Sequence, residues 1–331
     1  ILERPPSSAA RFRGAMTGRR MGGIAMKPKQ AAPLLLLALI WGIYYVASHK
    51  SVERMSVFTV GIVIRLLTMV LLTAVMLWKR ELPSLLRVKG VFARLLLIGL
   101  MGFLLDLTAF VGLSLSPAGA GTALLKTDIL FVNLISVIIY KQKFTGREWI
   151  DTFVMLFGVL LVMDFDFLHA SLGGKGDIFF ILSALFVSIN AFLIKSVQRS
   201  GKNSVSNDVI AYYNNFVTMI LFTVTACMMG TIGQLRLFGT DPGITLGLVV
   251  AGLGQTGVYI VYYYDLARFP VWLVKVFLLF MPIVSTVISF LLFGETLTGK
   301  QLLGVAVVLA GAMGVLFEQR KKEEGHLAAS M

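Results

Sequence analysis

FARLLLIGLMGFLLDLTAFVGLSLSPAGAGTALLKTDILFVNLISVIIY, residues 92–140, is the stretch of sequence that decides the fold. It consists of two apolar runs, 92–115 and 117–140, with Ser116-Pro117 between them. Each run is long enough to cross the hydrocarbon core of a bilayer as a helix, which needs about 20 residues. Proline is accepted at the start of a helix, so the sequence predicts two transmembrane helices joined in a tight hairpin.

The same apolar character extends outward over most of the 331-residue chain. Of its residues 57% are hydrophobic and 14% are charged, whereas about a quarter are charged in a typical soluble domain. Lipid must therefore face much of the surface. The sequence predicts an all-α membrane protein with ten transmembrane helices. The ten apolar runs are 31–49, 57–78, 92–115, 117–140, 149–168, 177–195, 208–230, 244–264, 271–293 and 300–317.

The distribution of lysine and arginine predicts the orientation. If the N-terminus is cytoplasmic, 22 of the 30 basic residues lie on the cytoplasmic side, five lie outside and three lie within spans. Cytoplasmic loops of membrane proteins carry this excess, so both termini are predicted to be cytoplasmic. The net charge of +13 follows the loops and does not predict nucleic acid as a partner. Residues 1–30 are expected to form a disordered basic tail, and 318–331 a second disordered cytoplasmic tail.

Cysteine, histidine and short motifs limit the chemistry that the chain can perform. The single Cys227 has no partner in the chain for a disulfide or a thiolate metal site. The three histidines, His49, His169 and His326, are far apart in sequence, so neither a histidine metal cluster nor a cofactor is predicted. The chain contains no GxxxxGK[ST], HExxH or GxSxG motif, which argues against direct ATP-driven transport and against an enzyme.

An internal repeat relates the two halves of the chain. Residues 98–160 align with 251–313 at an offset of 153. Each half contains five predicted helices, an odd number, so the second half enters the membrane from the opposite side. The sequence therefore predicts inverted five-helix repeats at 31–170 and 171–317. Equivalent positions include Pro117 and Pro270, Gly158 and Gly311, and the tripeptides Thr145-Gly146-Arg147 and Thr298-Gly299-Lys300.

Several motifs carry a family resemblance. They are Trp41-Gly42, Arg65, and the segment Gly294-Glu295-Thr296-Leu297-Thr298 with Gln301 and Gly304 after it. With these motifs, residues 31–317 resemble the drug/metabolite transporter superfamily, in the ten-helix branch with two EamA-like halves. The first half departs from the pattern, with Lys141-Gln142-Lys143 where a Gly-Glu pair would be usual. The resemblance implies a ten-helix carrier, and substrates of that superfamily range from amino acids and sugar phosphates to cationic drugs.

Five charged residues inside predicted spans are the main candidates for a site: Arg65, Asp106, Lys126, Asp128 and Lys275. A charge within a span is costly unless it is paired or faces water. Asp106 and Lys126 lie near the middle of the two hairpin helices and could pair directly, or Lys126 could line a cavity. Asp128 should point away from Lys126, about 200° around a regular helix.

Alternatives stay open for the other two cations. Lys275 could extend along its helix to the membrane surface, or join Lys126 in one central region. Arg65 could have a structural role, bonding carbonyl groups or pairing with Asp106 or Asp128, or it could bind a ligand. The remaining candidates are aromatic and amide side chains that could bind substrate or connect helices: Trp41, Tyr45, Asn190, Asn215, Gln255, Tyr259 and Tyr263. Tyr262 to Tyr264 could instead form an interfacial aromatic belt.

Three intramembrane cations against two carboxylates favour an anionic or zwitterionic substrate, because a cation would be repelled. The sequence thus predicts a secondary transporter of a small metabolite such as an amino acid, working by alternating access, with Asp106 or Asp128 as candidates for carrying a coupling proton. The alternatives are a cationic drug efflux carrier, a membrane-embedded enzyme and a non-transporting receptor. Short loops favour a bacterial inner membrane, where the protein would contact lipids as a monomer or homodimer.

Overall fold

The structure is a computed structural model and describes residues 28–140, 145–162, 175–200, 205–269 and 271–329. These residues form helices, short 3₁₀ turns and connecting loops, and they contain no β-strand. The ten predicted spans are numbered 1 to 10 in chain order. Spans 4 and 9 are each divided into two helices, labelled a and b. The helices are α1 (Pro28–Val52), α2 (Val57–Trp78), α3 (Phe92–Leu115), α4a (Ala118–Leu124), α4b (Asp128–Tyr140), α5 (Gly146–Val162), α6 (Asp177–Gln198), α7 (Asn207–Met228), α8 (Pro242–Arg268), α9a (Val271–Leu278), α9b (Met281–Phe293) and α10 (Gly299–Ala329).

The predicted membrane fold is confirmed for the described residues. Eight helices in them are long and apolar enough to cross a membrane, counting α4a and α4b as one span, Ala118–Ile135. In addition, α9b is a shorter apolar helix, and α5 has 17 described residues. The ten predicted spans are consistent with this count.

The boundaries of the helices confirm the internal repeat. Shifting α2 by 150 residues gives the bounds of α7, and the same shift takes the 3₁₀ turn Leu82–Leu86 to Ile232–Arg236. Shifting α4b by 153 residues gives the bounds of α9b. The two halves therefore have the same helices, although few of their residues are identical.

The recurring Thr-Gly-basic tripeptide has a structural explanation. At the start of α5, Thr145 N–H donates to Glu148 Oε2 (2.7 Å), and Glu148 N–H donates to Thr145 Oγ1 (3.2 Å). At the start of α10, Thr298 and Gln301 make the same reciprocal pair, at 3.0 and 3.2 Å. This is a capping box, which satisfies backbone N–H groups that a helix start leaves open. The repeated motif fixes where α5 and α10 begin.

Helices α5 and α10 pack closely because glycines line their contact. A Cβ atom on Gly158 would lie 2.6 Å from Val308 N, and one on Gly304 would lie 2.6 Å from Val162 N. A side chain at Gly311 would meet the backbone of Met155. Small residues let helix backbones approach in a membrane. The equivalence of Gly158 and Gly311 therefore reflects helix packing.

Three predictions about the chain's course are wrong. The helices around Ser116-Pro117 do not form a packed hairpin, because α3 packs mainly against α6 and α7 whereas α4a packs mainly against α9b. The C-terminal segment is not disordered up to its last described residue, since α10 continues to Ala329 with surface ion pairs. The predicted tail 1–30 is wrong at residues 28–30, which belong to α1, and its residues 1–27 lie outside the described residues. The Lys141-Gln142-Lys143 departure and the Pro270 equivalence also lie outside the described residues.

Candidate functional site

Span 4 is interrupted in its interior. A 3₁₀ turn, Leu125–Thr127, separates α4a from α4b. Within a membrane, irregular backbone is tolerated where protein or a water-filled cavity covers it. Here the hydroxyl of Ser188 on α6 donates to the carbonyl oxygen of Asp128 at 2.9 Å. The equivalent span 9 is interrupted at Leu279 and Phe280, so the repeat places a break in both helices.

Three charged side chains meet beside these breaks, and we call them the lysine cluster: Lys126, Asp128 and Lys275. Lys275 Nζ forms an ion pair with Asp128 Oδ2. Lys126 interacts electrostatically with both Asp128 and Lys275, but it makes no hydrogen bond and no close ion pair with any residue that the structure describes. All three are at least 95% buried. The cluster therefore contains two buried cations and one carboxylate.

A small cavity lies beside the lysine cluster. Its volume is about 20 Å³, roughly what one water molecule needs. The cavity is thus contracted, and a metabolite could enter only if the surrounding helices moved apart. Its walls combine polar and apolar side chains: Trp41, Tyr45, Leu105, Leu125, Lys126, Asp128, Val187, Leu278 and Met281.

A second group of buried polar side chains surrounds Arg65, and we call it the arginine network: Arg65, Asp106, Asn215 and Tyr259. Arg65 Nη2 pairs with Asp106 Oδ2. Arg65 Nη1 donates to Asn215 Oδ1 (3.1 Å) and to Tyr259 OH (2.5 Å). Asn215 Nδ2 donates back to the carbonyl oxygen of Arg65 at 2.9 Å. One cation is here matched by one carboxylate and by neutral acceptors.

Of the other candidate residues, Tyr45, Asn190, Gln255 and Tyr263 are buried and Trp41 is half-buried. Gln255 and Tyr263 lie on the same face of α8 as Tyr259, as predicted, and Asn214 Nδ2 donates to Tyr263 OH at 3.1 Å. Tyr262 packs edge-on against Trp41, with ring centroids 5.3 Å apart. Asn190 on α6 is buried and its Oδ1 has no hydrogen-bond partner among the described residues.

The structure corrects one prediction about these side chains and decides between the alternatives left open for three others. Asp106 pairs with Arg65 and not with Lys126, because α3 and α4a diverge. Asp128 and Lys126 line the same cavity, because the 3₁₀ turn interrupts the regular helix between them. Lys275 does not extend to the membrane surface but is buried against Asp128. Tyr262 and Tyr263 are buried, so they do not form an interfacial belt.

Sequence reasoning missed two further features. Asp265, near the end of α8, is fully buried, and neither of its carboxylate oxygens has a hydrogen-bond partner among the described residues. It falls one residue beyond the predicted span 244–264, so it was not counted as intramembrane. His49 on α1 contacts Glu295 in the α9b–α10 linker, 246 residues away, a pairing for which the sequence carries no local signal.

A bundle of membrane-spanning helices in two repeats, with charged side chains around a cavity where helices are broken, is the architecture of a membrane transporter. A model of the EamA-like transporter family matches residues 31–164 and 174–317. The chain belongs to this family, which confirms the predicted resemblance.

The relatives are distant. The chain is 26% identical over 257 residues to "Uncharacterized transporter YdfC" of Bacillus subtilis, covering 74% of this chain and 76% of that one. It is 24% and 25% identical to the proteins named "Probable amino-acid metabolite efflux pump" of Salmonella typhimurium and Escherichia coli, covering 59% of this chain and 66% of each pump. A solved structure titled "Crystal structure of protein" matches 90% of this chain and all of its own with a TM-score of 0.60 at 16% identity, which shows the fold alone.

Proposed function

We propose that this protein is a secondary-active transporter that exports or exchanges a small anionic or zwitterionic metabolite, an amino acid being the best candidate. The observation that carries the proposal is Lys126, a buried ammonium group beside a cavity, without an ion-pair partner among the described residues. A buried charge is expensive unless a counter-ion or water satisfies it. A substrate carboxylate would supply the counter-ion.

The walls of the cavity also suit the rest of an amino acid. Asp128 Oδ1 has no hydrogen-bond partner among the described residues and could accept from a substrate ammonium group. The rings of Trp41 and Tyr45 line the same cavity and could stabilise that cation or bury an apolar side chain. The names of the two efflux pumps among the relatives support the same substrate class and an outward direction.

Transport would proceed by alternating access. The cavity has room for about one water molecule, so binding requires the two repeats to separate around spans 4 and 9, which border it. The inverted repeat allows the same movement to open either side. A coupling proton is part of the proposal, as are a location in the bacterial inner membrane and cytoplasmic termini, on the evidence of the basic loops.

A proteoliposome assay tests the proposal. Purified protein is reconstituted, and uptake or counterflow is measured for a neutral amino acid, a dicarboxylate and a quaternary ammonium dye. We expect transport of one of the first two, and at least a tenfold loss of it, about 1.4 kcal/mol, in Lys126→Met. Lys89→Met, which changes an exposed lysine in the α2–α3 loop, is the matched control and should transport like the unchanged protein.

Two outcomes would overturn the proposal. Transport of the dye alone would favour the alternative, a cationic drug carrier of the same fold. Transport of an amino acid at an unchanged rate by Lys126→Met would mean that the lysine cluster is not the substrate site.

A further inference from the structure

A second cluster of chemically active side chains lies at the C-terminal end of α1 and shares no residue with the lysine cluster. It consists of His49 near the end of α1, Glu53 one turn later and Glu295 in the α9b–α10 linker. His49 Nε2 lies 2.9 Å from Glu295 Oε1 and 3.7 Å from Glu53 Oε1. One ligand atom from each residue lies within 4.8 Å of the other two.

The other ring nitrogen of His49 fixes the chemistry of this cluster. Nδ1 lies 2.5 Å from the carbonyl oxygen of Leu113 at the end of α3. A carbonyl oxygen only accepts, so Nδ1 must carry a proton and donate it. In this tautomer the lone pair of Nε2 faces a carboxylate oxygen 2.9 Å away. Two acceptors at that distance repel each other, so a proton or a metal cation must lie between them.

The geometry points to a metal cation. A histidine that donates Nδ1–H to a backbone carbonyl and aims Nε2 at a shared centre is oriented as metal-binding histidines usually are. The His49 side chain is 91% buried, so its direction is held by packing. Glu295 Oε2 is buried without a hydrogen-bond partner among the described residues. Imidazole nitrogen and carboxylate oxygen are both ligand types that Zn²⁺ accepts, and three protein ligands leave a fourth coordination position open.

We propose that His49, Glu53 and Glu295 form a binding site for a divalent transition-metal cation of the Zn²⁺ class. Glu53 also pairs through Oε2 with Lys50 at 2.7 Å, and both of these side chains are exposed. The metal would therefore compete with an exposed lysine for one of its ligands. A bound cation would tie the end of α1 to the α9b–α10 linker, at the side of the membrane predicted to face away from the cytoplasm, and would hold that side closed.

The sequence analysis predicted no metal site made of several histidines, because the three histidines are far apart in the chain. The site proposed here has one histidine, and its carboxylate partners are four and 246 residues away. A mixed site of this kind becomes visible only when the fold brings spans 1 and 9 together.

The test is direct binding of Zn²⁺ to the full chain in detergent, purified through a tag without histidine. Calorimetry and competition with a chromogenic chelator should give one Zn²⁺ per chain. His49→Gln and Glu295→Gln should each weaken binding at least tenfold, and Lys50→Met should strengthen it by freeing Glu53. Mg²⁺ should compete poorly, because it prefers octahedral oxygen ligands. His326→Gln is the matched control and should bind as the unchanged protein does.

A second readout guards against variants that fold poorly. Zn²⁺ should raise the melting temperature of the unchanged protein, and Glu53→Gln, at an exposed position, should lose most of that rise while melting normally without metal. Two results would overturn the proposal. One is the absence of stoichiometric Zn²⁺ binding, and the other is a Zn²⁺ affinity of His49→Gln and Glu53→Gln equal to that of the unchanged protein. Neither readout requires transport, so this inference and the proposed transport function can fail separately.

Discussion

The arginine network and the lysine cluster are both buried in the helix bundle, but their charges balance differently. In the arginine network one guanidinium faces one carboxylate, an amide oxygen and a phenol. In the lysine cluster two ammonium groups share one carboxylate, and one oxygen of that carboxylate has no hydrogen bond among the described residues. The charges of the first arrangement balance without a ligand, although Arg65 Nε has no hydrogen-bond partner among the described residues, whereas the second lacks one anion. A charge-balanced network holds helices together, and one that lacks a counter-ion is suited to binding.

The shape of the cations adds to this difference. Arginine has five N–H donors in a rigid fork, and those of Arg65 reach α3, α7 and α8 at once. Lysine has a single flexible ammonium group, so Lys126 can turn toward a substrate without breaking contacts between helices. Helix packing should therefore depend on Arg65, and transport on Lys126.

The largest expected effect is that of Asp106→Asn. The substitution leaves the guanidinium of Arg65 buried without its counter-charge, and removing one partner of a buried pair costs roughly 3–5 kcal/mol. The free energy of unfolding, measured by denaturation in detergent or bicelles, should fall by that amount. The double variant Arg65→Met/Asp106→Leu should regain most of it. A loss below about 1 kcal/mol in the single variant would contradict the structural role of the network.

Asp128→Asn should have a smaller effect. It leaves Lys126 and Lys275 near each other without a carboxylate, but the adjoining cavity can admit water to one of them. We expect a loss of roughly 2–3 kcal/mol, at the upper end of the cost of an unsatisfied buried polar group. The same denaturation measurement checks it. Adding Lys126→Met to Asp128→Asn should restore part of the loss, since it removes one of the two repelling charges. No restoration would mean that the two lysines do not interact.

The sequence allowed much of the fold to be predicted. The apolar runs and the offset of 153 were sufficient for ten spans and two repeats, because the bilayer sets helix length and the repeat sets helix order. The Thr-Gly-basic tripeptides marked equivalent positions in the two repeats, but the spans were predicted to start at 149 and 300, whereas α5 and α10 start at Gly146 and Gly299. These features are local, so they can be recognised without knowing how the helices pack.

The site was only partly predictable. The cost of burying charge identified the five intramembrane residues, but their pairing depends on how spans diverge in three dimensions. The Ser116-Pro117 connection does not indicate that α3 packs against α6 and α7, or that α4a packs against α9b. The 3₁₀ turn that brings Lys126 and Asp128 to one cavity follows a run of small residues, 118–123, which is a weak signal. The site residues themselves stay a prediction until transport is measured.

Lys126→Met should change stability very little. It removes a buried charge without an ion-pair partner among the described residues and keeps an apolar side chain of similar length, so the free energy of unfolding should stay within about 1 kcal/mol or rise. Transport should nevertheless be lost, as proposed above. The combination of intact stability and lost transport is what separates the lysine cluster from the arginine network. If Lys126→Met destabilised the protein as strongly as Asp106→Asn, both clusters would be structural.

The smallest expected effect is that of Asp265→Asn, which makes the same chemical change as at positions 106 and 128. Asp265 is fully buried and neither carboxylate oxygen has a hydrogen bond among the described residues. A carboxyl group in such surroundings is cheaper to bury in its neutral form, and asparagine is a neutral side chain of nearly the same size. The free energy of unfolding should therefore change by less than about 1 kcal/mol. Measured together, the three Asp→Asn variants should rank with Asp106 first, Asp128 second and Asp265 last. The guanidinium left behind at Asp106 is fully buried, the ammonium groups left behind at Asp128 adjoin a cavity that can admit water, and Asp265 has no ion-pair partner among the described residues. A loss at Asp265 as large as that at Asp106 would contradict this ranking.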